Sequence, residues 1–301
     1  MSFPTPEDRT VVGPDGAVIS YTVSGPEGAL PVVVHHGTPG SASPSREWLR
    51  STAEHGLRLV TYERGGYGGS SRRPGRRVVD CAGDVVALLD AIGAEVCLTY
   101  GRSGGGPHAL ATAALLPERV LAAASVAGVA PFGGPGMSRE EWLAGMGEDN
   151  VEEFDAALAG EDVLRPWLEA QRPAMLSLDQ DAVTAAMHSL LPQVDLAVFT
   201  GEFAEDTLRS FARALAPGVD GWLDDDLEFT RDWGFDLTSI EPPVALWQGS
   251  ADLMVPFAHG QWLADHVSGA EVHLVEGEGH WSIPVAGPDG VLAGLLRLAG
   301  R

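Results

Sequence analysis

The run from Glu95 to Pro107, EVCLTYGRSGGGP, decides how this sequence folds. Val96 to Tyr100 is apolar and β-rich, as expected of a strand buried on both faces. From Gly105 to Leu116 small and apolar residues give a helix. Between the two stands Gly101-Arg102-Ser103-Gly104-Gly105, a match to G-x-S-x-G. The five-residue pattern alone is common, but its place between a strand and a helix makes it specific. A sharp turn there holds the serine in a strained conformation, and glycines two residues to either side let strand and helix approach without Cβ clashes. Ser103 is therefore the candidate nucleophile. The positive N-terminus of the following helix faces the place where an oxyanion would form. A phosphate-binding loop fits poorly, because no lysine follows and G-x-G-x-x-G is absent here.

Outward from this turn, strand and helix patterns alternate. Upstream, Thr10 to Val23 reads as a hairpin around Gly13 to Gly16, and Pro31 to His36 as a buried strand. A helix over Pro44 to His55, a strand over Leu57 to Tyr62 and an amphipathic helix over Val78 to Ile92 follow. Downstream come a strand over Val120 to Val126 and a Gly/Pro-rich boundary, Pro131 to Gly136. Residues 138 to about 232 are acidic, Trp-bearing and helix-like. From Pro242 the alternation returns, with strands at Val244 to Gln248 and Glu271 to Val275 and helices at Phe257 to Val267 and Gly290 to Leu298. The pattern predicts an α/β fold with a mostly parallel, doubly wound sheet. Its core comprises residues 1–130 and 239–301, and residues 131–238 form an inserted helical cap.

A serine needs a base. Of nine histidines, His280 follows the last strand in the loop Glu276 to Trp281, where such sheets place their chemistry. His273 lies within a strand, His259 and His266 on what reads as a surface helix, and His188 in the insert, so these four are expected to be structural. Asp252 is the matching acid, in the loop Gly249 to Pro256 after the preceding strand, although an Asx turn would suit it too. The order Ser, Asp, His is that of one known triad arrangement. For an oxyanion hole the backbone N–H groups of Gly104 and Thr38 are the candidates, Pro39 having none.

Together these residues resemble the α/β-hydrolase fold superfamily. The resemblance rests on His36 to Gly40, on Glu63 to Ser70, on the serine motif, on Gly249 to Pro256 and on Gly279-His280. It covers about residues 10 to 130 and 240 to 300 and implies a serine hydrolase, most similar to the proline iminopeptidase-like and small-esterase branch. Family members often carry His, Gln or Trp where this chain has Arg102, and iminopeptidases usually have Trp where it has Gly104. Epoxide hydrolase and dehalogenase branches use an aspartate at the position of Ser103. Epoxide hydrolases also use cap tyrosines, and the four tyrosines here all precede the cap.

The implied activity is hydrolysis of a small to medium ester, lactone or amide through an acyl-enzyme, with no cofactor and no metal. An aminopeptidase stays open, with Glu152, Glu153, Asp155, Glu202, Glu205 and Asp206 as carboxylates for a substrate amine or as a solvated face. A biosynthetic tailoring enzyme and a slow-turnover ligand-binding or signalling protein stay open too. Arg102, Trp142, Trp167, Trp222 and Trp281 are candidate pocket residues; the tryptophans also suit core packing, and Arg102 also suits an ion pair with the cap.

The formal net charge of -23, with arginine as the only basic residue besides histidine, argues against nucleic acid and anionic membranes as partners. A small-molecule substrate is expected, and the oligomeric state is left open. Met1 to Thr10 has no apolar segment of a secretion signal, and the apolar run Val120 to Phe132 is too short to span a bilayer, so a cytoplasmic enzyme is expected. Cys81 and Cys97 read as buried thiols.

Overall fold

Alternating apolar strands and amphipathic helices close into one sheet covered on both faces. The structure is a computed structural model that describes residues 6–301 apart from residues 178, 180–181, 184–186 and 284–287. Eight strands lie in the order β1-β2-β4-β3-β5-β6-β7-β8. The hairpin pairs β1 (Asp8–Val12) with β2 (Val18–Ser24), and β2 joins β4 (Arg58–Tyr62) antiparallel. All other pairings are parallel, through β3 (Pro31–His35), β5 (Cys97–Arg102), β6 (Val120–Val126), β7 (Val244–Gly249) and β8 (Glu271–Val275). The α/β fold expected from the alternation is therefore observed.

Residue character explains the layers. Val32, Val33, Leu59, Val60, Leu98 and Ala123 are at most 1% exposed, which suits strands covered on both sides. One face packs on α2 (Cys81–Ile92), α3 (Gly105–Leu115) and α10 (Phe257–His266) through Val85, Leu88, Leu110 and Leu263. The other packs on α1 (Arg46–Glu54) and α11 (Pro288–Leu298) through Leu49, Leu292 and Leu295. Ser45 caps α1 by accepting the Trp48 N–H, and Gly93 ends α2 in the left-handed region. Val78–Asp80, expected as the first turn of α2, is a separate 3-10 turn.

Between β6 and β7 the chain leaves the sheet. It forms the helices α4 (Arg139–Leu143), α5 (Glu148–Ala159), α6 (Glu161–Leu176), α7 (Gln193–Val198), α8 (Gly201–Leu215) and α9 (Asp220–Phe229). A satellite core of Met187, Leu191, Phe199 and Ala204 lies within this insert, with Met254 and Trp281 of the sheet domain packed against it. Among the described residues no helix is long and apolar enough to cross a membrane. Both cysteines are free and buried.

Because β3, β5, β7 and β8 are parallel, the loops after all four open at the same edge of the sheet. The strand order reverses between β3 and β5, and the crevice at such a reversal is where α/β sheets bind ligands.

Candidate active site

The turn after β5 puts Ser103 at φ 54°, a left-handed conformation that costs a non-glycine residue about 1–2 kcal/mol. The flanking glycines make it possible. A Cβ on Gly101 would stand 1.9 Å from the Gly105 carbonyl oxygen, and one on Gly105 would stand 2.2 Å from the His35 carbonyl oxygen. The Ser103 N–H donates to the Val126 carbonyl at 2.9 Å, anchoring the turn to β6.

Asp252 and His280 come together as anticipated. The His280 Nδ1 and Asp252 Oδ2 are 2.8 Å apart, and the residues are 2% and 3% exposed. Asp252 is further held by N–H bonds from Met254 and Val255 to Oδ1, each 2.9 Å, and by Gln248 Nε2 to Oδ2 at 3.0 Å. The Asx-turn alternative and the pairing with histidine are thus both realised in one side chain. Ser103 and His280 line a single cavity of about 380 Å³, together with Thr38, Gly104, Arg102, Trp167, Trp222 and Trp281. Among the described residues the Ser103 hydroxyl has no hydrogen-bond partner; such bonds often close only around substrate.

The Thr38 side chain lies against Gly104, since a Cβ there would be 2.3 Å from Thr38 Oγ1. Thr38 Oγ1 donates to Asp225 Oδ2 at 2.5 Å. Asp225, on α9 of the insert, also accepts from Arg64 Nε at 3.0 Å, from the Tyr67 hydroxyl at 2.8 Å and from Arg76. Arg64 in turn donates to the carbonyls of His36 and Gly37. The loop carrying Thr38 is therefore fixed by a buried carboxylate whose two guanidinium partners hold it well below the usual carboxylate range, against the opposing effect of burial. His108, Asp225 and Glu228 have the composition of a metal site, but the Arg64 and Arg76 guanidinium groups already ion-pair with the two carboxylates. Sequence reasoning held Arg64 only as part of the Glu63 to Ser70 run, with no role, and did not find Asp225. The one signal was Asp224-Asp225-Asp226 beside Trp222 in a helix otherwise facing the core.

Other expectations need correction. Trp142 is fully buried and outside the cavity: its Nε1 donates to the Ala130 carbonyl at 2.8 Å and its ring packs on Phe154 and His259. His259 is buried as well, not on a surface face, and joins Ala130 N–H to the Trp142 carbonyl. Among the described residues Arg102 ion-pairs with no carboxylate; it donates to the His280 carbonyl. Of the candidate amine-binding carboxylates, Glu152 is exposed, and Asp155, Glu202 and Glu205 are exposed and bonded to arginines. Asp206 lines the cavity but is ion-paired with Arg46 and Arg209. Glu153 differs. It lines the cavity beside the buried Asp226 and accepts the Trp222 Nε1–H at 2.6 Å. Burial pushes Glu153 up to about 7, and burial beside Glu153 holds Asp226 well above the carboxylate range.

A family model described as alpha/beta hydrolase fold matches residues 31–286. The chain belongs to the α/β-hydrolase fold family. As a member it is an enzyme, and its relatives carry several activities in their names. A non-heme chloroperoxidase of Streptomyces lividans is 35% identical over 152 residues, 50% of this chain and 54% of that protein, so the chain matches about half of that relative. Epoxide hydrolase A of Mycobacterium tuberculosis is 27% identical over 98% of this α/β-hydrolase and 97% of its own length. An α/β-hydrolase fold protein from Nakamurella multipartita superposes with a TM-score of 0.68 at 25% identity, over 98% of this chain and 100% of that one.

Proposed function

We propose that the protein is a serine hydrolase that cleaves a small to medium ester or lactone through an acyl-enzyme. The observation that carries this reading is the buried Asp252–His280 pair, 2.8 Å apart, opening on the same cavity as a serine held at φ 54°. In this mechanism Asp252 accepts a hydrogen bond from the Nδ1–H of His280, which fixes the tautomer whose bare Nε2 takes the Ser103 proton. The Ser103 oxygen attacks the carbonyl, and the developing oxyanion receives the N–H groups of Thr38 and Gly104. Each such donor contributes roughly 2.7–4 kcal/mol to the transition state. His280 then protonates the leaving group, and water releases the acyl group by the reverse path.

The insert, residues 131–238, acts as a lid that shapes the pocket with Trp167 and Trp222 and excludes water. A cavity of about 380 Å³ suits a substrate of modest size.

One observation favours a second reading, an aminopeptidase or amine-bearing ester substrate. Glu153 and Asp226 stand together in the cavity wall, two adjacent carboxyl groups that burial holds above the usual carboxylate range and that could accept the hydrogens of a substrate amine. A panel of p-nitrophenyl esters and amino-acid amides separates the readings. Turnover of short neutral esters, lost in Ser103→Ala, supports the esterase. Preference for α-amino amides, lost in Glu153→Gln, supports the aminopeptidase. No turnover of any member contradicts both and leaves a tailoring or slow-turnover binding role.

A further inference from the structure

The loop that presents His280 is gripped from the insert by a residue with no place in the triad. Asp195, on α7, is completely buried. Its Oδ2 accepts the N–H of His280, and its Oδ1 accepts the N–H groups of Trp281 and Ser282, each at 2.8 Å. Three successive backbone N–H groups thus converge on one carboxylate, the arrangement by which a loop binds an anion. The Gly279 N–H donates to Ser282 Oγ at 2.8 Å and closes the loop around it. Gly279 also leaves the room the carboxylate needs, because a Cβ there would lie 2.5 Å from Asp195 Oδ2. Close by, Trp281 stacks on Phe199, just beyond α7, with ring centroids 4.8 Å apart. From the core side, Arg102 donates to the His280 carbonyl. The main chain of His280 is therefore clamped on both its polar groups, one by the residue before Ser103 and one by the insert.

We infer that Asp195 is a positioning residue through which the helical insert sets the orientation of His280, so that docking of the insert and readiness of the base are one event. The inference rests on the serine-hydrolase reading above. Charge-assisted bonds to a buried carboxylate are short and strong, and losing it leaves three N–H groups in the interior without an acceptor. The loop then rearranges to satisfy them and carries the imidazole with it. A displacement near 1 Å at a reacting group costs on the order of 10²-fold in rate.

The test is a mutant cycle on the full chain: Asp195→Asn, Asp195→Ala, Gly279→Ala and the double variant Asp195→Ala/Gly279→Ala. The readouts are kcat and KM on the best ester of the panel, the rate of fluorophosphonate labelling, and the downfield NMR resonance of the His280 Nδ1 proton. Asp195→Asn and Asp195→Ala should lower kcat and labelling about 10²-fold with KM within about threefold. They should also shift or broaden the downfield proton, which a role confined to stability would leave in place. Gly279→Ala, which keeps the carboxylate and displaces it, should act alike. In the double variant the alanine methyl occupies the vacated space, so its effect should match Asp195→Ala alone and not the product of the two. If the aspartate variants do not fold, Gly279→Ala alone decides through the same readouts. Folded variants with unchanged kcat and an unmoved Nδ1 proton, or multiplicative effects in the cycle, would overturn the inference. An unlabelled wild type would instead overturn the serine-hydrolase reading and this inference with it.

Discussion

Replacing Asp252 by asparagine changes one oxygen for an NH2 group and should leave the backbone in place. Two orientations of the new amide are available. With its oxygen at the Oδ1 position it keeps the N–H bonds of Met254 and Val255, and its NH2 faces Gln248 Nε2 and His280 Nδ1. Turned over, it sets a donor against both backbone N–H groups, which is worse. Gln248 can relieve the first arrangement by turning its Oε1, unpartnered among the described residues, to the new NH2, at the cost of its own bond to the Val255 carbonyl. In the first, favoured orientation His280 Nδ1 faces a donor and must become the acceptor. The proton moves to Nε2, the nitrogen that has to receive the Ser103 proton. The base is then absent in the resting state, and kcat on the best ester substrate should fall about 10⁴-fold, equivalent to roughly 5.5 kcal/mol. Melting temperature should change by only a few degrees, because the replacement is isosteric. The assay is steady-state kinetics beside circular dichroism. A folded variant with kcat within about tenfold of wild type would refute the assignment of Asp252 as the acid.

Other substitutions separate pocket from scaffold. Trp142→Ala should cost about 3–5 kcal/mol and lower activity equally on all substrates, whereas Trp167→Ala and Trp222→Ala should re-rank the ester and amide panel with labelling within about tenfold; equal losses in all three would place the specificity determinants elsewhere. Gly105→Ala drives a Cβ to 2.2 Å from the His35 carbonyl oxygen and should sharply lower the melting temperature, and an unchanged melting curve would contradict the close approach of α3 to β3. Glu153, held up to about 7 by burial against an ordinary 4.5, keeps in the folded state a proton that the unfolded chain releases, so it weakens the fold as pH rises from about 4.5 to about 7. Glu153→Gln should lose less melting temperature than wild type between pH 5 and 7.5, and parallel curves would show that Glu153 is not shielded from solvent.

The sheet was legible because its signals are local. Strand runs such as Val120–Val126 and the serine turn are contiguous, and glycine at 101 and 105 has a steric cause that sequence alone exposes. Ser103, Asp252 and His280 could be picked out because each follows a strand at the same edge. What stayed hidden joins distant parts of the chain. Arg64 reaches Asp225 across 161 positions, and Asp195 reaches the His280 loop across 85 to 87. No periodicity encodes such pairs, and a single buried aspartate in an acidic helical segment looks like its solvated neighbours. Trp142 misled for a related reason: tryptophan suits pocket and core equally, and only its bond to the Ala130 carbonyl and its contacts with Phe154 and His259 decide.

The most direct measurement of the central claim is the mass-spectrometric mapping of a fluorophosphonate adduct on the wild-type protein. The account predicts a single adduct on the peptide containing Ser103, absent after Ser103→Ala and strongly slowed in Asp252→Asn. An adduct on a different serine, or none on a folded protein, would contradict it.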